Sequence, residues 1–414
     1  MSATASELDF TLTRYEGWRT FAEAPPRRQP TLVTGDDLAE LGRRESALYA
    51  DERAVWHANL GPFITPQMHH VMDEITELLE SNRQDTYKVK TSGVIDAYPG
   101  LGKTTLAMQI GRQFHRHQID LFGEQTNLGD QRIPVAYIPL AGRTTIRTLN
   151  IMLCDFYGLP TAGNSADLGK RAANAACRSQ TRLIVVDDTH FLNMHTSAGR
   201  EVSNHLKWLS SEFPVTFLFV GVDLLGSGLL TEGLMPGKHA QAQTSRRWTR
   251  YTLSPFTLAD NKERKVWITL LKTIEKHLVL ANLREGTLER LADYLYARSS
   301  GHFSSLMAII TRACHRAVRN GDENLTRDLI DGIKNDQAAE DARQTLTADD
   351  KHRKEYLVAL GKAARETKPS LAAIERIETF AEPYDPLVTD FVHFEVANLM
   401  QRAQDSDPAR EYRH

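Results

Sequence analysis

The chain has 414 residues, 41% of them hydrophobic, which supports a sizeable buried core spread over two or three domains. Fifty Lys and Arg stand against fifty-three Asp and Glu, a net charge of -3, so no global basic excess announces nucleic acid and any such contact must come from a local patch. Cys154, Cys177 and Cys314 lack metal-ligand spacing and read as reduced core residues; no stretch reaches a membrane span and no signal pattern opens the chain, so a cytoplasmic protein without a membrane partner is expected.

Residues 1–45, with Pro25, Pro26, Arg27, Arg28 and Pro30 and little periodicity, read as a flexible N-terminal arm. Residues 46–90 form a helical lead-in, with Thr65 as N-cap and Pro66 at the first position of a helix running to about Leu79. An αβ domain follows over residues 91–257. Its strands are expected at 93–96, 132–138, 182–186 and 215–220 and near Tyr251, and its intervening helices at 144–157, 165–179 and 200–211. Strands that alternate with helices, several of them apolar throughout, define an α/β fold with a parallel sheet covered by helices on both faces. Residues 258–340 read as an all-helical lid domain, with helices near 259–281, 287–299, 303–319 and 325–337. The tail, 341–414, is charged and ends in an apolar segment at 386–400; it suits either a partner-docking element or an additional helix pair.

The chemistry concentrates at residues 94–106, VIDAYPGLGKTTL. An apolar run enters a loop of Pro99, Gly100, Leu101 and Gly102, and Lys103, Thr104 and Thr105 open an amphipathic helix. Loop and helix N–H groups in this arrangement converge on the β- and γ-phosphates of a nucleotide such as ATP, the lysine adds a charge, and the Thr104 hydroxyl suits Mg²⁺. The phosphate-loop pattern wants glycine at 97, where Ala97 stands.

A second apolar strand, LIVVDD at 183–188, ends in two acids. Asp187 is positioned to hold Mg²⁺ through water and Asp188 to orient the attacking water. The second position is usually glutamate, so Asp188 falls one methylene short and slow hydrolysis is expected. His190 reads as structural. After the strand at 215–220, Val222 cannot reach a γ-phosphate and Asp223 is a poor substitute. TSRRWTR at 244–250 supplies Arg246, Arg247 and Arg250. Either this is an ordinary basic loop, or one guanidinium, Arg246 first, reaches a neighbouring subunit's γ-phosphate.

Together the AYPGLGKTT loop, the VVDDTH strand end, FLFVGVDLL, TSRRWTRYTLSPF and the SGHFSSLMAIITRACHRAV helix resemble an AAA+ ATPase of the TniB/TnsC class, the ATP-dependent regulators of DNA transposition. The resemblance covers residues 50–335. It implies a homo-oligomer, ring or helical filament, with Arg246 completing the next subunit's site. It also implies assembly on double-stranded DNA without sequence preference, and recruitment of a transposase and a target-selection protein. Ala97, Asp188, Val222 and the lack of arginine at Ser304 or Ser305 depart from the class pattern and point to slow turnover. Arg143, Thr144, Thr145 and Arg147 are the candidate DNA contacts, although helix capping alone accounts for Thr144. A signalling NTPase of the STAND type and a nucleotide-dependent scaffold that binds no DNA are the alternative readings.

Overall fold

The structure is a computed structural model, describing residues 11–84, 90–142, 144–189, 201–202, 205–206, 208–209, 215–224, 248–336 and 340. The chain divides into two compact units, Met1–Asn335 and Asp336–His414. The tail at 341–414 lies outside the described residues.

Five parallel strands form the sheet: β1 (Ser92–Ala97), β2 (Val135–Pro139), β3 (Leu183–Asp187), β4 (Thr216–Gly221) and β5 (Trp248–Leu253), in the spatial order β2-β3-β4-β1-β5. Every residue of β1, β3 and β4 is buried. Successive side chains of a strand point to opposite faces, so helices must cover both sides, and the expected α/β class is observed. β1 lies between β4 and β5, in register Asp96↔Gly221 and Asp96↔Thr252. The loop leaving β1 thus emerges at the carboxyl edge of the sheet, beside the ends of β3 and β4, where open parallel sheets bind ligands.

The N-terminal stretch corrects the expectation of a flexible arm. Helix α1 (Tyr15–Glu23) buries Tyr15, Trp18 and Ala22 in the αβ core, and α2 (Gly35–Glu40) is capped by Thr34. Full burial of Trp18 alone contributes about 2–3 kcal/mol. The lead-in also divides. Helix α3 (Arg43–Ala58) packs on the lid: Arg53 meets Glu323 at 2.6 Å, both buried, and Trp56 Nε1 donates to the His277 carbonyl at 2.7 Å. Helix α4 (Pro66–Ser81), started by Thr65 as expected, buries Met68, Val71, Met72, Ile75 and Leu79 in the αβ core. One hydrophobic run of helices therefore serves two cores.

Between β1 and β3 lie α5 (Lys103–Phe122), α6 (Ile146–Phe156) and α7 (Ser165–Arg178). Cys154 is buried on α6, but Cys177 is exposed on α7, against the expectation of a core residue. It follows the buried Ala176 by one position and so points away from the packed face. The lid comprises α8 (Asn261–Glu275), α9 (Thr287–Arg290), α10 (Ala292–Ser299), α11 (Phe303–Asn320) and α12 (Arg327–Asp331) around Trp267, Leu271, Leu295, Ile309 and Cys314. Among the described residues no helix is long and apolar enough to cross a membrane.

Candidate nucleotide-binding site

The loop at 98–102 can curl because Gly100 (φ 79°) and Gly102 (φ 84°) take left-handed backbone angles. Gly102 caps α5, so Lys103, Thr104 and Thr105 form the first turn, whose N–H groups have no intrahelical partners. Both glycines are also crowded. A Cβ on Gly102 would stand 2.6 Å from Met68 Cε of α4, and one on Gly100 2.5 Å from Ser304 Oγ of the lid. The Ser304 N–H donates to the Gly100 carbonyl at 2.9 Å, so the lid helix α11 rests directly on the phosphate loop. A narrow crevice between Met68, Leu101, Leu253 and Phe303 opens beside it.

Asp187 ends β3 next to this loop and is 1% exposed. Its Oδ1 accepts from the Asp188 N–H at 2.8 Å and lies 3.4 Å from Thr104 Oγ1; its Oδ2 accepts from the Tyr137 hydroxyl at 3.0 Å. Burial, with the charge of Asp188 adding to it, pushes the Asp187 carboxyl above its ordinary range. These partners are neutral groups, so a cation bridging the Thr104 hydroxyl and the carboxylate would offset the cost of that burial. The donor set fits Mg²⁺ carried in with a nucleotide. No cluster of three or more His, Cys, Asp or Glu able to hold a metal occurs among the described residues, and Mg²⁺ ordinarily takes one or two protein oxygens plus substrate phosphates.

Asp188 follows with φ 56°, and Asp223, at the end of β4, has φ 48°. Left-handed backbone disfavours side chains generally but tolerates Asp and Asn. That preference supplies a backbone reason for aspartate, rather than glutamate, at position 188.

The structure brings together the loop residues, Asp187 and Asp188. It gives Arg250 a different setting from the one considered from sequence: the side chain is engaged within its own chain, with Nε and Nη2 each 3.0 Å from Asp96 Oδ2. Arg246, Arg247, His190 and Arg143 lie outside the described residues. At the start of α6, Thr144 is buried and donates its hydroxyl to the Ala141 carbonyl, and Thr145 caps the helix by accepting from the Thr148 N–H at 3.2 Å. Arg147 is exposed and reaches the Gly163 carbonyl. Both threonine hydroxyls thus serve local backbone structure.

Two residues of the site were not singled out from sequence. Tyr137 sits in an apolar strand and reads as core. Asp96 carried a signal: it is an acid inside an otherwise apolar run, and such a residue, once buried, needs partners. It has them in Arg250 and in the Leu224 N–H, which donates to Oδ1 at 3.1 Å.

Residues 86–225 match the family described as an AAA domain. The solved structure of the Aeropyrum pernix Orc1 protein in complex with DNA is similar over 84% of this chain and 87% of that one, with a TM-score of 0.51 and 14% identity. Cdc6p from Pyrobaculum aerophilum is similar over 84% of this chain and 89% of its own, with a TM-score of 0.44 and 14% identity. Domain III of the Thermotoga maritima replication initiation protein DnaA covers 66% of this chain and 95% of its own, with a TM-score of 0.39 and 17% identity. No curated protein matches the sequence. The chain therefore carries an AAA-type P-loop ATPase domain, and the likeness to Orc1 establishes the AAA+ fold.

Proposed function

We propose that this protein is an ATP-dependent regulator of DNA transposition that assembles on double-stranded DNA in its ATP state and recruits or stimulates a transposase. Slow hydrolysis acts as the release step. The observation that carries the nucleotide half is the meeting of the glycine loop, Thr104 and the buried Asp187 at one edge of the sheet. ATP phosphates would lie on the loop and first turn of α5, with Mg²⁺ between them, Thr104 and Asp187. Asp188 would orient the attacking water, and its missing methylene would keep turnover low.

The DNA half rests on the sequence resemblance and on the exposed Arg147 at the start of α6, a place suited to phosphate contact without base readout. A DNA-bound assembly needs neighbouring subunits to sense ATP, and Arg246 is the residue we assign to that role. Arg250 is the poorer choice because Asp96 engages it. A switch of this kind works through ATP binding, which favours the assembled state; hydrolysis only ends it.

Mixed-subunit ATPase measurements test the arrangement. Arg246→Ala and Lys103→Ala should each be inactive alone, and mixing them on duplex DNA should restore part of the activity, because some interfaces then pair an intact loop with an intact arginine. No recovery at any ratio would oppose a shared site. Imaging with duplex DNA and a non-hydrolysable ATP analogue separates the readings: a nucleotide-dependent scaffold without DNA binding assembles equally well without DNA.

A further inference from the structure

Tyr137 touches the Asp187 carboxylate, and the N-terminal helix touches Tyr137. Tyr137 pairs with Val185 across β2 and β3, and Asp187 lies two residues further along the same face, within diagonal reach of a long side chain. The Tyr137 hydroxyl donates to Asp187 Oδ2 at 3.0 Å, while Oδ1 faces Thr104. The torsion that orients a carboxylate plane is soft, so Oδ1 is fixed in direction only if both oxygens are held. The Asp188 N–H holds one and Tyr137 the other.

The Tyr137 ring is itself fixed. Trp18 of α1 stacks on it, with centroids 6.2 Å apart and planes 17° from parallel. Trp18 is fully buried in a notch of α5 made by Gly111, where a Cβ would come within 2.7 Å of the indole. Its Nε1 donates to His115 Nδ1 at 3.3 Å on the same helix. Helix α1 therefore wedges between the phosphate-loop helix and the tyrosine that touches Asp187.

We propose that Tyr137 is a positioning residue for the Mg²⁺ acid, and that Trp18 of α1 holds it in place. The proposal rests on the nucleotide site proposed above. Removing the hydroxyl leaves Asp187 Oδ2 without its donor and frees the carboxylate plane. The Mg²⁺ ion then has to select the productive orientation, which raises the Mg²⁺ concentration required, while contacts of the phosphates with the loop are untouched.

The test is equilibrium binding of a fluorescent ATP analogue to Tyr137→Phe, first in EDTA and then across a Mg²⁺ titration, with melting followed by circular dichroism. The variant keeps the ring against Trp18. We expect unchanged affinity in EDTA, a melting temperature lowered by the loss of one buried hydrogen bond and a half-saturating Mg²⁺ concentration about tenfold higher, the weight of one hydrogen bond to a charged acceptor. Trp18→Leu should move the Mg²⁺ requirement in the same direction. An unchanged Mg²⁺ requirement in Tyr137→Phe overturns the positioning role. So does a loss of affinity in EDTA equal to that in Mg²⁺, which marks Tyr137 as a structural residue only. A wild-type chain that binds no analogue under either condition defeats the nucleotide site itself and the inference with it.

Discussion

Asp96 and Arg250 form an ion pair across neighbouring strands, with Nε and Nη2 of the guanidinium both 3.0 Å from the same carboxylate oxygen. The two partners differ in setting: the Asp96 side chain is 3% exposed and that of Arg250 43%. The second oxygen accepts from the Leu224 N–H. A single acid near the end of β1 thus ties the strand that feeds the phosphate loop to the middle of β5 and to the segment after β4. Removing the cation strands a buried carboxylate, whereas its attraction is partly screened while present. Arg250→Ala should therefore lower stability by about 1–2 kcal/mol, less than for a fully buried pair, read from urea midpoints. An unchanged midpoint would mean that the pair is solvated in solution.

The left-handed backbone at Asp188 gives a second expectation. Asp188→Asn suits the same angles and should keep the wild-type melting temperature while abolishing hydrolysis. Asp188→Glu restores the usual length but occupies backbone that favours Asp and Asn, and should cost about 1 kcal/mol. Equal stability of the Asn and Glu variants would remove the backbone explanation for aspartate here.

The segment between β5 and α8 is tied to Gly301, in the turn between α10 and α11, whose φ is 70°. The Phe256 N–H donates to the Gly301 carbonyl at 2.9 Å, and a Cβ on Gly301 would overlap the Phe256 carbonyl. Because that obstacle is backbone, rotamer change cannot relieve it. Gly301→Ala should cost about 3 kcal/mol, the sum of the left-handed penalty and overpacking. Denaturant midpoints would check this, and a loss under about 0.5 kcal/mol would contradict it.

Acid should loosen the contact between α3 and the lid. His57 is buried, accepts from the Val279 N–H at 3.0 Å through Nε2, and has its pKa pushed down from 6.5 to about 4 by burial, with His315 and Arg53 acting in the same direction. Above pH 6.5 the imidazole is neutral in both states and its contribution is complete. Below it the unfolded chain takes up the proton first, so stability falls until the folded pKa is reached, by about 2 kcal/mol at pH 5. His57→Gln should flatten that part of the profile. The same pH dependence in the variant would assign the loss to other groups.

Four strands were legible as apolar runs bounded by turn residues, the mixed WTRYTL of β5 was placed only as a strand near Tyr251, and Thr65-Pro66 announced α4 by its capping chemistry. The phosphate loop and Asp187 were legible for the same reason: they follow strands whose ends the pattern marks. Helix α1 was hidden because its buried face consists of Tyr15, Trp18 and Ala22 in a helix of nine residues beside a proline-rich stretch. Its packing comes from Gly111 and Tyr137, far away in sequence. The division of the lead-in between two cores was likewise invisible, since Arg53 and His57 look like surface residues until Glu323 and Val279 meet them. Long-range polar partners leave no periodicity to read.

Sedimentation of the protein on a short DNA duplex tests the central claim most directly. With a non-hydrolysable ATP analogue and Mg²⁺, the wild-type chain should form multi-subunit complexes that disappear with ADP, and Lys103→Ala should form none under either condition. Assembly that is indifferent to nucleotide, or that persists undiminished in Lys103→Ala, would contradict an ATP-controlled switch on DNA.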